Sequence, residues 1–378
     1  MKLTLLGGLT PRQFLRDYWQ KKPLLVRAAI PEFHGIVSRT EVLALAREPD
    51  AQSRLISHQR GKWLLEQGPF SRTRLKQLSP SNWTILVQDL NHFIDAGVAL
   101  LRQFSFIPYA RLDDLMVSYA VPGGGVGPHF DSYDVFLLQG EGTRRWRISA
   151  QKDLSLVANL PLKILRSFRA EQEWELHPGD MLYLPPGYAH DGVALTNCAT
   201  YSIGFRAPST QELAFNFLSH VQDELTLDGM YADPDLSLQL NPAEISGAMV
   251  KKVARIIQRL SWTKDDYVHF LGKYLTEPKS HVFFSPRETP AGLTEFRRHV
   301  LRSGALLDRK SRLLIHGPWV FMNGDRVAVP PRSSALLREL SDHWMIQPRS
   351  KIDRESLALL YAWYCDGYLQ LRSELTKR

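Results

Sequence analysis

The sequence predicts a mainly β core, a sandwich or barrel, set between helical segments and followed by a winged-helix-like tail. Three observations carry that expectation. Between Leu115 and Phe205 the chain breaks into strand-length runs separated by Gly and Pro, the spacing of a sandwich or barrel. After Ala207-Pro208-Ser209-Thr210 the texture turns helical. Near the end, Trp319 to Val329 carries a hairpin signal centred on Asn323-Gly324.

The elements follow in order. Pro11 to Trp19 reads as a helix running into a strand at Pro23 to Arg27, and the later elements before Leu112 read as mostly helical. The core strands are expected at Leu115 to Val121, Val135 to Leu138, Arg144 to Ile148, Met181 to Leu184 and Thr200 to Phe205. Ser209 or Thr210 caps a helix with the apolar stripe Leu213, Phe217, Leu218, Val221 and Leu225. Lys251 to Leu260 and Lys264 to Tyr274 read as further helices, with a loop from Gly229 to Pro242. Helices around one hairpin suggest a winged-helix-like module. At 378 residues the chain is too long for one ordinary core, and the boundaries fall at 1–208, 209–285 and 286–378.

Composition is that of a soluble globular protein, 44% hydrophobic and 23% charged. No apolar run approaches the ~20 residues of a membrane span, and Pro11 and Arg12 cut short the apolar start, so a cytoplasmic location is expected. Cys198 and Cys365 are the only cysteines. They support neither a disulfide framework nor a cysteine zinc site, so a metal has to use His, Asp or Glu. The formal charge of +8 favours polyanionic surroundings, or serves solubility alone.

His129-Phe130-Asp131 places two ligating side chains at i and i+2, which on a strand share a face. By itself the pattern is weak, because roughly one match is expected by chance in a chain with this many acids and histidines. Its surroundings strengthen it. Pro122-Gly123-Gly124-Gly125-Val126-Gly127-Pro128 precedes it, suited to a mobile loop over an open site. No Gly-Lys-Ser/Thr follows, which sets aside a phosphate loop. Downstream, Gly179 to Leu184 and a rigid Pro185-Pro186-Gly187 bend lead to His190, a candidate third ligand. Two imidazoles and one carboxylate with open positions suit non-haem Fe(II). Zinc accepts a similar set, so ligand type leaves the metal open.

Arg144 favours the oxygenase. Strand alternation puts Arg144, Trp146 and Ile148 on one face. If that face is inward, the guanidinium needs an anion, and its fork matches a carboxylate such as the distal end of 2-oxoglutarate. A solvent-facing arginine beside Arg145 and Arg147 is the other reading.

The tract from Ser118 through Pro122-Gly123-Gly124-Gly125 and His129-Phe130-Asp131-Ser132-Tyr133-Asp134 to Gln139-Gly140-Glu141-Gly142-Thr143-Arg144-Arg145-Trp146 resembles the JmjC-type ribosomal oxygenases. Asp17 to Leu25 and Gly204 to Pro208 extend the likeness. The resemblance implies a double-stranded β-helix core of the jelly-roll or cupin type, a helical dimerisation region and a C-terminal winged-helix-like domain. It implies Fe(II) held by His129, Asp131 and His190, with 2-oxoglutarate and O2 as co-substrates. Arg144 would grip the far carboxylate, with Ser118 beside it. The implied reaction is hydroxylation of an arginine in large-subunit ribosomal protein number sixteen, by a homodimer working near ribosomal RNA. Tyr133 and Asp134, next to the metal, are candidates for receiving the cationic guest. Three alternatives stay open: a histidyl hydroxylase of a ribosomal protein, a non-oxidative metal cupin, and a nucleic-acid-binding protein with a degenerate core.

Overall fold

The computed structural model describes residues 2–329 and 331–372. One compact unit gathers Met1–Pro208, Pro278–Ser311 and Pro330–Arg378, and a second gathers Ser209–Glu277 and Arg312–Val329.

Within the first unit, residues up to Pro208 supply twelve strands: β1 (Leu24–Val26), β2 (Ser53–Gln59), β3 (Lys62–Gln67), β4 (Trp83–Val87), β5 (Leu112–Ala120), β6 (His129–Phe130), β7 (Asp134–Gln139), β8 (Arg144–Ser149), β9 (Gln172–Leu176), β10 (Met181–Leu184), β11 (Ala189–Ala194) and β12 (Cys198–Phe205). They form an eight-stranded sheet in the order β1-β10-β7-β12-β5-β4-β2-β3 and a four-stranded sheet in the order β6-β11-β8-β9. Every pairing in the two sheets is antiparallel. The result is the expected jelly-roll core.

Alternation along each strand of the large sheet decides what faces what. Phe136, Leu138, Met181, Tyr183, Tyr201, Ile203, Val117 and Tyr119 turn to one side, where they join Phe14, Leu100 and Phe104 in the main core. Phe14 belongs to a helix over Pro11–Asp17, which Thr10 starts by accepting the Gln13 backbone N–H. On the opposite face, Val135, Leu137, Leu182 and Leu184 meet Trp146, Ile148 and Leu176 of the small sheet. Each such side chain removed from water contributes about 1.5–3 kcal/mol. With both faces covered, β7 and β10 read as unbroken apolar runs and not as alternating ones.

The expected core strands recur within a few residues of their predicted limits. The region before Leu112 departs from expectation, because β2, β3 and β4 widen the large sheet there. Arg60 and Gly61 have positive φ, and this two-residue turn folds β2 onto β3. In the second unit, Ser209 caps a helix over Thr210–Glu224 through the Glu212 N–H, and further helices span Gly247–Ile257 and Lys264–Thr276. The hairpin at Asn323-Gly324 is present, with Trp319–Met322 paired to Asp325–Ala328.

The glycine-rich stretch is not the mobile loop that its composition suggested. Gly123 N–H donates to the Ala194 carbonyl, and Ala194 N–H donates to the Gly124 carbonyl. A Cβ on Gly124 would stand 2.0 Å from the Trp83 carbonyl oxygen, and one on Gly125 would stand 2.5 Å from the Gly192 oxygen. These glycines let three backbone segments approach closely. Gly124→Ala is therefore expected to destabilise the first unit by about 1–3 kcal/mol, seen as a lower urea midpoint. An unchanged midpoint would mean that the loop has room to move.

Candidate active site

His129 and His190 lie directly opposite each other where β6 pairs with β11. Their ring centroids are 4.2 Å apart. Asp131 follows β6 immediately, and its Oδ2 lies 3.6 Å from His190 Nε2. One ligating atom from each of the three residues falls within 4.8 Å of the others. The Pro-Pro-Gly bend contributes by a backbone bond, since Gly187 N–H donates to the Asp131 carbonyl at 2.7 Å.

Both imidazoles are oriented from behind. His129 Nδ1 lies 2.8 Å from the Gly127 carbonyl, and His190 Nδ1 lies 2.9 Å from the Tyr188 carbonyl. A carbonyl only accepts, so each Nδ1 carries a proton and each Nε2 is the atom turned to the site. His190 is 2% exposed. Burial, and then the neighbouring His129, push it down to about 4, so it is neutral and ready to ligate at ordinary pH. This donor set, two imidazole nitrogens and a carboxyl oxygen, fits a divalent transition metal with positions left over for other ligands.

The three ligand residues line a cavity of about 430 Å³. Arg144 and Ser118 line it too. Arg144 faces inward as the alternation of β8 requires and is 5% exposed, whereas Arg145 turns outward toward Glu173 and Glu175 and Arg147 pairs with Asp191. Arg144 Nη1 donates to Ser118 Oγ at 3.0 Å. Its Nε and Nη2 are buried and meet no hydrogen-bond partner among the described residues. A guanidinium left this way is unfavourable by several kcal/mol unless an anion completes it. The two unmet donors fit the far carboxylate of a dicarboxylic acid such as 2-oxoglutarate.

Of the two residues expected to receive a guest, Tyr133 lines the cavity and Asp134 does not reach it. Asp134 is fully buried on the other face of β7. Its carboxylate accepts from Tyr183 Oη at 2.6 Å, Gln20 Nε2 at 2.8 Å and Arg111 Nη2 at 3.3 Å, so it braces β7 against β10. Besides Asp131, the acids that line the cavity are Asp113 and Asp114, on β5. The sequence held a signal for Asp114, because it shares parity with Met116 and Ser118, and all three line the cavity.

A JmjC-domain family model matches residues 99–213, and a ROXA-like winged-helix model matches residues 259–370. The ribosomal protein uL16 3-hydroxylase of Escherichia coli (strain K12) is 37% identical over 322 residues, 84% of this chain and 86% of the relative. A probable ribosomal oxygenase of Haemophilus influenzae is 39% identical over 235 residues, 61% of this chain and 56% of that protein. The solved structure of YcfD, a ribosomal oxygenase from Escherichia coli, in complex with cobalt and 2-oxoglutarate matches with a TM-score of 0.83 at 34% identity, covering 96% of this chain and 98% of that one. The likeness runs through core and tail alike, and the chain belongs to the JmjC-type ribosomal oxygenases.

Proposed function

We propose that the protein is an Fe(II)- and 2-oxoglutarate-dependent oxygenase that hydroxylates an arginine side chain of ribosomal protein uL16. One observation carries the reading. A single cavity holds a three-residue ligand cluster, a buried guanidinium with unmet donors, and a pair of carboxylates. Ser118 and Asp114 are four residues apart on β5, about 13 Å along the strand. That spacing separates a carboxylate-binding end from a cation-binding end.

His129, Asp131 and His190 would hold the iron. When bound, iron couples the oxidative decarboxylation of 2-oxoglutarate by O2 to C–H hydroxylation, giving succinate, carbon dioxide and an alcohol, with one oxygen atom in the succinate and one in the alcohol. The protein supplies placement. Gly127 and Tyr188 carbonyls fix the two imidazoles, and Arg144, its fork oriented by Ser118, anchors the far end of the co-substrate. Trp146, Val135 and Leu137 form an apolar wall that excludes water. Asp113 and Asp114 receive the guest guanidinium, with Tyr133 beside them.

The chain acts as a homodimer through the helical region after residue 208. Support comes from apolar side chains left in the open there, with Phe215 66% and Leu218 57% exposed and Met249, Val250, Val253 and Ile257 exposed along the Gly247–Ile257 helix. Among the described residues no helix is long and apolar enough to cross a membrane. A ribosomal-protein substrate would place the enzyme in the cytoplasm, near ribosomal RNA.

Incubation of the full chain with Fe(II), 2-oxoglutarate, O2 and uL16 is expected to add one oxygen atom to an arginine-containing peptide, read by tandem mass spectrometry. An unchanged mass would reject that target. Asp131→Ala is expected to abolish both Co(II) binding, followed by its visible spectrum, and hydroxylation; full turnover in this variant would remove Asp131 from the ligand set. Arg144→Leu is expected to raise KM for 2-oxoglutarate roughly 30-fold or more, from the loss of at least about 2 kcal/mol. The same change removes an uncompensated buried charge, so the protein without co-substrate should melt no lower than the wild type, while the stabilisation given by 2-oxoglutarate disappears. Retained ligand stabilisation would argue against Arg144 as the anchor.

A further inference from the structure

Asp113 and Asp114 do not stand alone on the cavity wall. Asp89, in the connection after β4, takes a left-handed conformation at φ 51°, and its backbone N–H donates to Asp114 Oδ2 at 3.4 Å. Asp89 thus stands behind the two acids of the wall. The chain re-enters this unit at Pro278 and immediately places a cation among them. Lys279 Nζ lies 2.9 Å from Asp89 Oδ1, 3.3 Å from Asp113 Oδ1 and 3.8 Å from Asp114 Oδ2. His281 Nε2 lies 3.0 Å from Asp89 Oδ2. Arg206, just past β12, reaches Asp113 Oδ1 at 3.4 Å.

We propose that Lys279 is the internal counter-ion of the substrate subsite: its ammonium ties Asp113 and Asp114, on the cavity wall, to Asp89 behind them, and so keeps Asp114 ionised toward a cationic guest. Lys279 and Arg206 offset only part of the charge that three carboxylates can carry. Lys279 is thus a positioning residue for substrate, distinct from the metal ligands and from Arg144. The inference rests on the arginine-hydroxylase reading for the identity of the guest, but not for the behaviour of the acids.

The electrostatics of the cluster agree with this arrangement. Burial raises Asp114 to about 7, with Lys279 pulling it down and Asp113 and Asp89 pushing it up. Burial works against the Lys279 ammonium, yet the three acids hold it above its ordinary range. The groups facing Asp114 are Asp113 on its own strand, Asp89 with His92 behind it, Lys279 and His281 on the returning segment, and Tyr133 across the cavity. Arg54 on β2 lines the same cavity and makes no ion pair with the acids among the described residues. Removing Lys279 leaves Asp114 with burial and two like charges, so Asp114 takes up its proton at a higher pH. Attraction for a guanidinium then falls at neutral pH.

The test follows Asp114 directly, by 13C NMR of aspartate carboxyls in the full chain loaded with diamagnetic Zn(II), with Asp114→Asn assigning the resonance. Lys279→Met is expected to move the Asp114 midpoint up by at least about one pH unit, which is a tenfold change, and Lys279→Arg to restore it. In turnover, kcat/KM for a uL16 arginine peptide should rise with pH through the Asp114 midpoint. Lys279→Met should lower it about fivefold or more near pH 7, through KM with kcat little changed and KM for 2-oxoglutarate unmoved. Lys279→Gln, which keeps a donor, serves where the methionine variant is unstable. A folded Met or Gln variant with an unmoved Asp114 midpoint overturns the proposal, as does loss of kcat alone. If the midpoint moves while the wild type leaves uL16 unmodified, the counter-ion stands and the choice of substrate falls.

Discussion

The antiparallel pairing of His129 with His190 is the contact on which the site depends. β6 has two residues, too few to hold a register by itself. Its position is fixed by what surrounds it. Gly123 and Gly124 bind the preceding loop to Ala194 on β11, Leu165 N–H donates to the Pro128 carbonyl, and Gly187 N–H holds the Asp131 carbonyl on the far side. A slip of one residue would send His129 and Asp131 to the opposite face together. The close-packed glycines and the rigid bend act as the register lock that a longer strand would otherwise provide.

Given that lock, the two sheets divide the labour between their faces. The outward faces of β4, β5, β7, β10 and β12 build the main apolar core, and the inward faces of β5 and β12 are free to carry polar groups. Inside one cavity the strands then place charges of opposite sign at different heights. Arg144 on β8 hydrogen-bonds Ser118 and lies over the Trp146 ring, with no ion pair among the described residues, so its charge is compensated when an anion binds. Asp114, four residues back along β5, sits with two other acids and the Lys279 ammonium. Unit charges 4 Å apart interact by about 4 kcal/mol at the effective dielectric of such a site. Mislocating either charge would therefore be expensive, and the rigid strands prevent it. The cavity is preorganised for two guests of opposite charge, which is what a dicarboxylic co-substrate and a cationic side chain require.

Much of this was legible in the sequence, and strand parity explains both the successes and the failures. The i, i+2 spacing of His129 and Asp131, the bend before His190 and the inward parity of Arg144 are local features, and the structure places all four residues in one cavity. Asp134 was drawn toward the guest by its nearness to Asp131 in the chain. β7 starts at Asp134, with Val135 and Leu137 facing the cavity, so Asp134 and Phe136 must face the other way. Tyr133 shares parity with Val135 and does line the cavity. β2 and β3 escaped notice because their turn is Arg60-Gly61, a weaker hairpin signal than Asn-Gly. Composition misled at Gly123 to Gly127, since glycine serves mobility and close approach equally well and only the neighbours distinguish them. Lys279 had no local signal at all. Its role arises because the chain returns to the first unit some 165 residues after Asp114.

The acid wall also bears on why arginine suits this cavity better than histidine. A guanidinium is charged at every accessible pH, so it always repays the desolvation of the carboxylates that receive it. An imidazole near neutrality is mostly uncharged, and would leave the wall's net charge unanswered in a buried place. The chain as a whole is basic, at +8, so long-range forces do not bring a cationic segment in. Those forces fade within about 8 Å at physiological salt, whereas the pairing of the guest with Asp113 and Asp114 occurs at contact. On the proposed reading, selection for a cation is made inside the cavity by Asp113 and Asp114, whose repulsion with each other and with Asp89 is relieved in part by Lys279.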